Sequence, residues 1–167
     1  RRFVRGLPGA RRIALFETAF YQWVPGAASR YAVPGAWHRA GIRRHGFHGA
    51  SHKFVAERSA ELCGRDDVAE VVRRLYLDGP VVLDAPPLRV VSCHLGGSSS
   101  VTGIRDGVAI GTSMGFSPQS GLPQNNRVGD LDSAALPFAM RELGIDLDEA
   151  ERQLTREAGL LGVSGVS

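Results

Sequence analysis

VVSCHLGGSSSVTGIRDGVAIGTSMGFSPQSGLPQNNRVGDLD, residues 90–132, is the stretch that decides the fold. It begins with an apolar run, residues 88–93, that ends at His94. A glycine–serine turn follows, Gly96-Gly97-Ser98-Ser99-Ser100. Two short β-favouring runs, residues 101–105 and 108–112, are joined by Asp106-Gly107. Asp-Gly between apolar runs marks a tight hairpin, because both central residues must reach positive φ. The reading is strand, anion-sized loop, strand, tight turn, strand. Glycines let a backbone approach an oxyanion closely with its N–H groups aimed at it. Arg127 stands downstream in an Asn-Asn-Arg-Val-Gly-Asp loop. Taken alone, a glycine–serine turn is an ordinary hairpin loop, so its neighbours must decide.

The chain has 167 residues, enough for one good core, and 43% hydrophobic content, which is that of a globular protein. Net charge is +3, and Lys53 is the single lysine among scattered arginines. Nucleic-acid binders gather charge on one face with aromatics between; the dense runs here, residues 1–12 and Arg43-Arg44, are short. Cys63 and Cys93 belong to no Cys-x-x-Cys pair and fall on apolar faces. Buried free thiols and a reducing, cytoplasmic setting are expected. No apolar run approaches the ~18 residues of a membrane span, and no signal peptide is visible. Arg1 at the start and loop chemistry over residues 159–167 suggest a piece of a longer protein.

In chain order, residues 13–16 read as a buried strand running into Glu17, a carboxylate at a strand end where α/β folds keep functional groups. Residues 21–37, rich in Pro and Gly, read as an irregular crossover, with a domain hinge near Phe20. Ser51 is a candidate N-cap for a helix through Leu62, with Phe54, Val55, Arg58 and Leu62 as a partial stripe. A second helix, residues 66–76, carries a clean face of Val68, Val71, Val72 and Leu75. Residues 80–87 form a connector and 117–127 a long loop, of the kind that is often functional. Helix returns over 134–143, kinked or delayed by Pro137. Asp146 and Glu149 suggest a capping box, leading a face of Leu147, Ala150, Leu154 and Ala158. The class is α/β.

Four features carry possible chemistry. His48 and His52 at i, i+4 suit zinc, but a general-base glutamate and a third ligand are missing from the pattern. A structural role suits His52. His48, with Gly46 and Gly49 around it, sits where close contact is possible, and its N–H suits a phosphoryl oxygen. Arg127 is either a surface arginine paired with Asp130 or Asp132, or a rigid fork for phosphate or carboxylate. Glu17 is either solvated or a Mg²⁺-holding or basic carboxylate. Phe47 and Pro118 are core residues or the lining of a small apolar pocket. A glycine loop, an imidazole, a guanidinium and a carboxylate are the parts phosphoryl transfer needs, since its transition state is served by placement and positive charge.

GIRRHGFHGASHKFV (residues 41–55) strongly resembles the histidine motif of the acetate kinase family, the acetate/propionate kinases. HLGGSSSV, TSMGFSP, NNRVGDLD, ALPFAM and GLLGVSGVS follow in that family's order and at similar spacing, so the likeness runs from about Ile13 to Ser167. It implies the actin-like fold shared with sugar kinases and Hsp70, two RNase-H-like domains around a cleft. Residues 1–20 would end the first domain and 21–167 form part of the second. The implied activity is phosphorylation of a short-chain carboxylate with ATP and Mg²⁺, or the reverse, in a cytoplasmic homodimer. The family's transition-state histidine falls on His48 and its phosphate-binding arginine on Arg127. Its acyl pocket falls on Phe47 and Pro118, and its nucleotide-phosphate loop on His94, Gly96, Gly97, Ser98 and Ser99.

Three departures are visible. The family's catalytic aspartate aligns with Glu17, whose extra methylene displaces the carboxylate by ~1.5 Å. Its loop asparagine aligns with Gly97, and Asn125-Asn126 replace the usual Gly-Thr. Its first phosphate loop and substrate arginine fall before Arg1 and its adenosine motifs after Ser167, so this polypeptide is expected to be inactive alone. A propionate or butyrate kinase, and a non-catalytic nucleotide-binding relative, are the alternatives.

Overall fold

The computed structural model describes residues 5–11 and 13–166. A 3-10 turn, Ala19–Tyr21, precedes two short helices, α1 (Gly26–Ser29) and α2 (Gly35–Arg39). Two longer helices follow, α3 (Gly49–Leu62) and α4 (Asp66–Asp78). Three strands come next: β1 (Arg89–Leu95), β2 (Ser99–Arg105) and β3 (Val108–Thr112). The order closes with α5 (Ala135–Leu143), α6 (Leu147–Arg156) and α7 (Gly159–Ser164).

The strands form one antiparallel sheet in the order β1-β2-β3, with Ser92 opposite Thr102 and His94 opposite Ser100. The Asp106-Gly107 turn adopts the expected positive φ, 50° and 81°. A side chain at Gly107 would collide with Val72 of α4, so the turn needs glycine for closeness as well as for φ. Asp106 also accepts from the Leu88 N–H at 2.8 Å, which ties the hairpin to the start of β1.

One face of the sheet packs on α3 and α4. The stripe read on α4 is the one buried: Val68, Val71, Val72 and Leu75, with Ala69. Phe20, Tyr21, Ala56, Val72, Leu75, Ile104 and Ala109 form the main core. Each large apolar side chain buried there contributes roughly 1.5–3 kcal/mol. Toward the β1–β2 turn the same sheet face becomes polar, with Ser92 and Ser100 buried against His52 and Thr102 buried beside Tyr21.

Several expectations are corrected. Residues 13–16 form no strand, and Ile13 and Phe16 are exposed (92% and 69%). Among the described residues the sheet holds no neighbouring strand for them, so no ladder forms. Helix α3 starts at Gly49, with His48 rather than Ser51 in the cap position. It buries Gly49, His52, Ala56 and Ala60, while Phe54 and Leu62 face outward. Small residues win this face because the helix lies close on the sheet and on residues 17–20. Both cysteines are free, as expected, but exposed: β1 turns Cys93 away from the core, and Cys63 caps the end of α3. Pro137 sits in the first turn of α5, where its missing N–H costs nothing, so α5 needs no kink. Asp146 caps α6 by accepting from the Glu149 N–H at 2.8 Å, but Glu149 turns to Arg152 instead of closing the box. On α6 only Ala150 is buried. The glycine-rich tail forms α7 rather than loop.

Candidate active site

The loop between β1 and β2 is folded on itself. Gly96 N–H donates to Ser98 O at 3.2 Å, and Ser99 Oγ donates to Gly96 O at 3.1 Å. Ser99 N–H is taken by Gln124 Oε1 at 3.3 Å. The N–H groups of Gly97 and Ser98 meet no protein acceptor among the described residues, so two adjacent donors remain for an anion. At Gly97 an added Cβ would stand in open space.

Arg127 reaches this loop. Its Nη1 donates to Ser98 Oγ at 3.1 Å and to Pro118 O at 3.3 Å. Among the described residues it makes no ion pair, so the surface pairing with Asp130 or Asp132 is not what occurs. Its loop is clamped from behind. Leu160 and Leu161 at the start of α7 donate to Gln124 O and Asn125 O, at 2.8 and 2.9 Å. Val128 N–H donates to Leu154 O of α6 at 3.0 Å. Gly159 is required at that junction, because a Cβ there would strike Gln124 O and Arg127 O. The glycine-rich tail is thus part of what aims the arginine.

His48 occupies left-handed backbone (φ 59°, ψ 26°), a conformation an L residue adopts at a cost and that clusters at functional sites. Its ring stacks on His94 at 3.9 Å between centroids. His48 Nδ1 bonds Ser100 Oγ at 2.9 Å, and His94 Nδ1 bonds Ser51 Oγ at 3.0 Å. Ser100 Oγ also meets His52 Nε2 at 2.8 Å, and His52 Nδ1 meets Ser92 Oγ at 2.7 Å. One hydroxyl carries one hydrogen, so Ser100 donates to one ring and accepts from the other. The tautomers of His48 and His52 are therefore linked. Burial pushes the His48 pKa down, His94 and Arg127 add to this, and Glu17 opposes it. Burial, with His48 and His94 nearby, lowers His52 to about 4, so it is a neutral structural ring at pH 7.

Glu17 is held beside this group through its backbone: its carbonyl accepts the Gly49 N–H at 2.9 Å. A Cβ at Gly49 would strike that carbonyl, and one at Gly46 would strike the Tyr21 ring. The two glycines around His48 thus serve packing by residues 17–21, which brings the Glu17 charge within reach of the imidazole. The Glu17 side chain is exposed, and no group of three His, Cys, Asp or Glu able to hold a metal exists among the described residues. His52 commits both ring nitrogens to Ser92 and Ser100. A lone carboxylate does fit Mg²⁺, which keeps several waters and takes one or two carboxylates plus substrate phosphates.

Phe47 and Pro118 are half-buried. Tyr21 OH donates to Phe47 O at 2.6 Å, and Pro118 O faces Arg127 and Gln124. The structure thus gathers His48, His94, Glu17, Arg127 and residues 96–99 in one region, with Phe47 and Pro118 entering through their backbones. Arg127 contacts Ser98, not His48, directly. Sequence reading missed Ser100, the hydroxyl shared by two histidines, and Gln124, the buried amide under the loop.

The acetokinase family model matches residues 1–167. Acetate kinase of Heliobacterium modesticaldum is 42% identical over 164 residues, 96% of this chain and 36% of that protein. Acetate kinase of Bacillus subtilis is 39% identical over 166 residues, 99% of this chain and 38% of that protein. The crystal structure of Porphyromonas gingivalis acetate kinase superposes with a TM-score of 0.79 at 34% identity, over 99% of this chain and 37% of that one. A propionate kinase from Francisella tularensis gives 0.82 at 31%, over 98% and 38%. The fold is therefore that of part of an actin-like kinase. The chain spans a little over a third of the length of these relatives. It belongs to the acetokinase family.

Proposed function

We propose that this chain forms part of the active site of an ATP-dependent short-chain carboxylate kinase, which moves a phosphoryl group reversibly between ATP and acetate to give acetyl phosphate and ADP. The observation that carries this is the 3.1 Å bond from Arg127 Nη1 to Ser98 Oγ. It sets a guanidinium against a glycine loop with two open amides, beside a stacked imidazole pair. In the transfer a carboxylate oxygen attacks the γ-phosphorus, and the bond to the bridging oxygen of ADP breaks as the new P–O bond forms. Charge spreads over three equatorial oxygens, so positive charge and fixed donors lower the barrier.

In this reading Arg127 Nε and Nη2, left free by the bonds of Nη1, face the migrating group. His48, kept neutral by burial and by His94, donates its Nε2–H when Ser100 donates to Nδ1. The open amides of Gly97 and Ser98, with His94, Gly96 and Ser99 around them, hold nucleotide phosphates. Phe47 and Pro118 line the acyl pocket. Glu17 orients the carboxylate or holds Mg²⁺ through water; the ion, when bound, offsets phosphate charge. We read residues 1–20 as the end of one domain and 21–167 as part of a second. The exposed apolar run of Ile13, Leu15 and Phe16 supports the first part of that division, while Phe20 packs in the core of the second. A cytoplasmic homodimer, with no nucleic-acid or membrane partner, completes the reading; no helix among the described residues is long and apolar enough to cross a membrane.

Hydroxamate trapping of acyl phosphate in the intact protein tests the proposal. Arg127→Ala should lower turnover by roughly a hundredfold or more with the fold unchanged. Near-normal turnover removes Arg127 from the mechanism. The propionate kinase superposes as well as the acetate kinase, with TM-scores of 0.82 and 0.79, so propionate is a second reading. Turnover against acids of rising chain length decides between them.

A further inference from the structure

We propose that Gln124 is a positioning residue of this site, which locks Arg127 to the phosphate loop and joins the loops that meet the two substrates. This rests on the carboxylate kinase reading. Gln124 is 1% exposed although it lies in a loop without regular structure. Its amide orientation is dictated by its partners. Ser99 N–H can only donate and so must face Oε1, at 3.3 Å; Pro118 O can only accept and so must face Nε2, at 2.8 Å. Ser98 Oγ donates to Oε1 at 2.9 Å.

Arg127 then closes a ring. Gln124 Oε1 accepts from Ser98, Ser98 accepts from Arg127 Nη1, Arg127 Nη1 donates to Pro118 O, and Pro118 O accepts from Gln124 Nε2. Both Nη1 hydrogens are committed to protein, which fixes the guanidinium plane and leaves one edge for a ligand. The ring joins the β1–β2 loop to the loop after β3, regions with no strand or helix in common. Only a side chain carrying an acceptor at one end and a donor at the other can bridge them. Glutamate would set oxygen against Pro118 O, and methionine would leave Ser99 N–H unmet and Pro118 O with the Arg127 bond alone. The backbone of Gln124 is pinned as well, by Leu160 N–H at 2.8 Å, so the amide cannot drift from the gap.

The test is a double-mutant cycle in the intact protein. Gln124→Met, Ser98→Ala and the double variant are compared for kcat and for KM of nucleotide and acid, with amide exchange of Ser99 followed alongside. Gln124→Met should lower kcat at least ~tenfold, as a misaimed catalytic group does, and speed Ser99 exchange at least ~tenfold as its acceptor is lost. The double variant should be no worse than the worse single variant, because both remove one linkage. Unchanged kcat, unchanged Ser99 exchange, or losses that multiply would each overturn the proposal. If Gln124→Met does not fold, Gln124→Glu keeps the acceptor for Ser98 and Ser99 but loses the donor to Pro118. It should keep Ser99 protected and still lose kcat; full kcat there overturns the brace. A wild-type protein silent in hydroxamate trapping would sink the kinase reading, with Ser99 exchange still judging the brace.

Discussion

At His52 one buried imidazole sets a measurable property of the whole fold. Its ordinary pKa of 6.5 falls to about 4 in the folded chain, chiefly through burial. Between those values the unfolded chain takes up a proton that the folded chain refuses. The His52 contribution is therefore full above pH 6.5 and is lost as pH falls toward 4. A few kcal/mol at most is at stake. Denaturant unfolding of the intact protein should show stability rising from pH 4.5 to 6.5 and levelling above. Replacing His52 with Gln should flatten that rise; an unaltered slope would mean that His52 is not the titrating group. Glu149, held near 2 by Arg152, acts below this window. His48 and Arg127 were singled out in the sequence by the motif frame around them, and the structure brings both to one region. Gln124 was not, since a buried amide and a solvated one look alike within Pro-Gln-Asn-Asn, and only the acceptor and donor brought from distant loops tell them apart.

Between elements, the legible parts were those whose pattern is local. The Asp106-Gly107 hairpin, the α4 face and the Asp146 cap each follow from spacing within a few residues. Residues 13–16 and the buried face of α3 were misread because their fate depends on what packs against them. Helix α3 is the instructive case. It buries Gly49, His52, Ala56 and Ala60, small residues with little hydrophobic signal, because residues 17–20 and the sheet come close. Gly49 is the tightest point, with Glu17 O in its path and Phe20 Cβ at 3.1 Å from an added Cβ. Gly49→Ala should thus cost about 1–3 kcal/mol of stability by overpacking. It should also lower turnover, by pushing Glu17 away from His48. Chemical denaturation and hydroxamate trapping read both. Wild-type stability in that variant would mean that residues 17–20 do not lie on the start of α3 in solution.

For the whole molecule, what matters is how many parts of a phosphoryl-transfer site one chain can carry. Under the proposed reading this chain would supply one guanidinium, two stacked imidazoles, one loop with two open amides and one carboxylate, which lie in one region. It matches only 36% of the length of its Heliobacterium relative. Its apolar surface also extends well past the core: Ile13 is 92% exposed, Val82 97%, Val91 73% and Leu95 73%. Val91, Cys93 and Leu95 alternate along the face of β1 opposite His52, the spacing of a strand meant to be covered on both sides. A transition state that needs several charges converging on one PO₃ unit gains little from an incomplete set, because each donor works only when the others hold the group in line. The 167-residue chain expressed alone should therefore form no hydroxamate above background, and should bind a hydrophobic dye through the uncovered face of β1. The intact protein should turn over and bind little dye. Turnover by the isolated chain would mean that His48, Arg127 and the glycine loop suffice without further groups, and the division of the site between this chain and the rest of the protein would have to be abandoned.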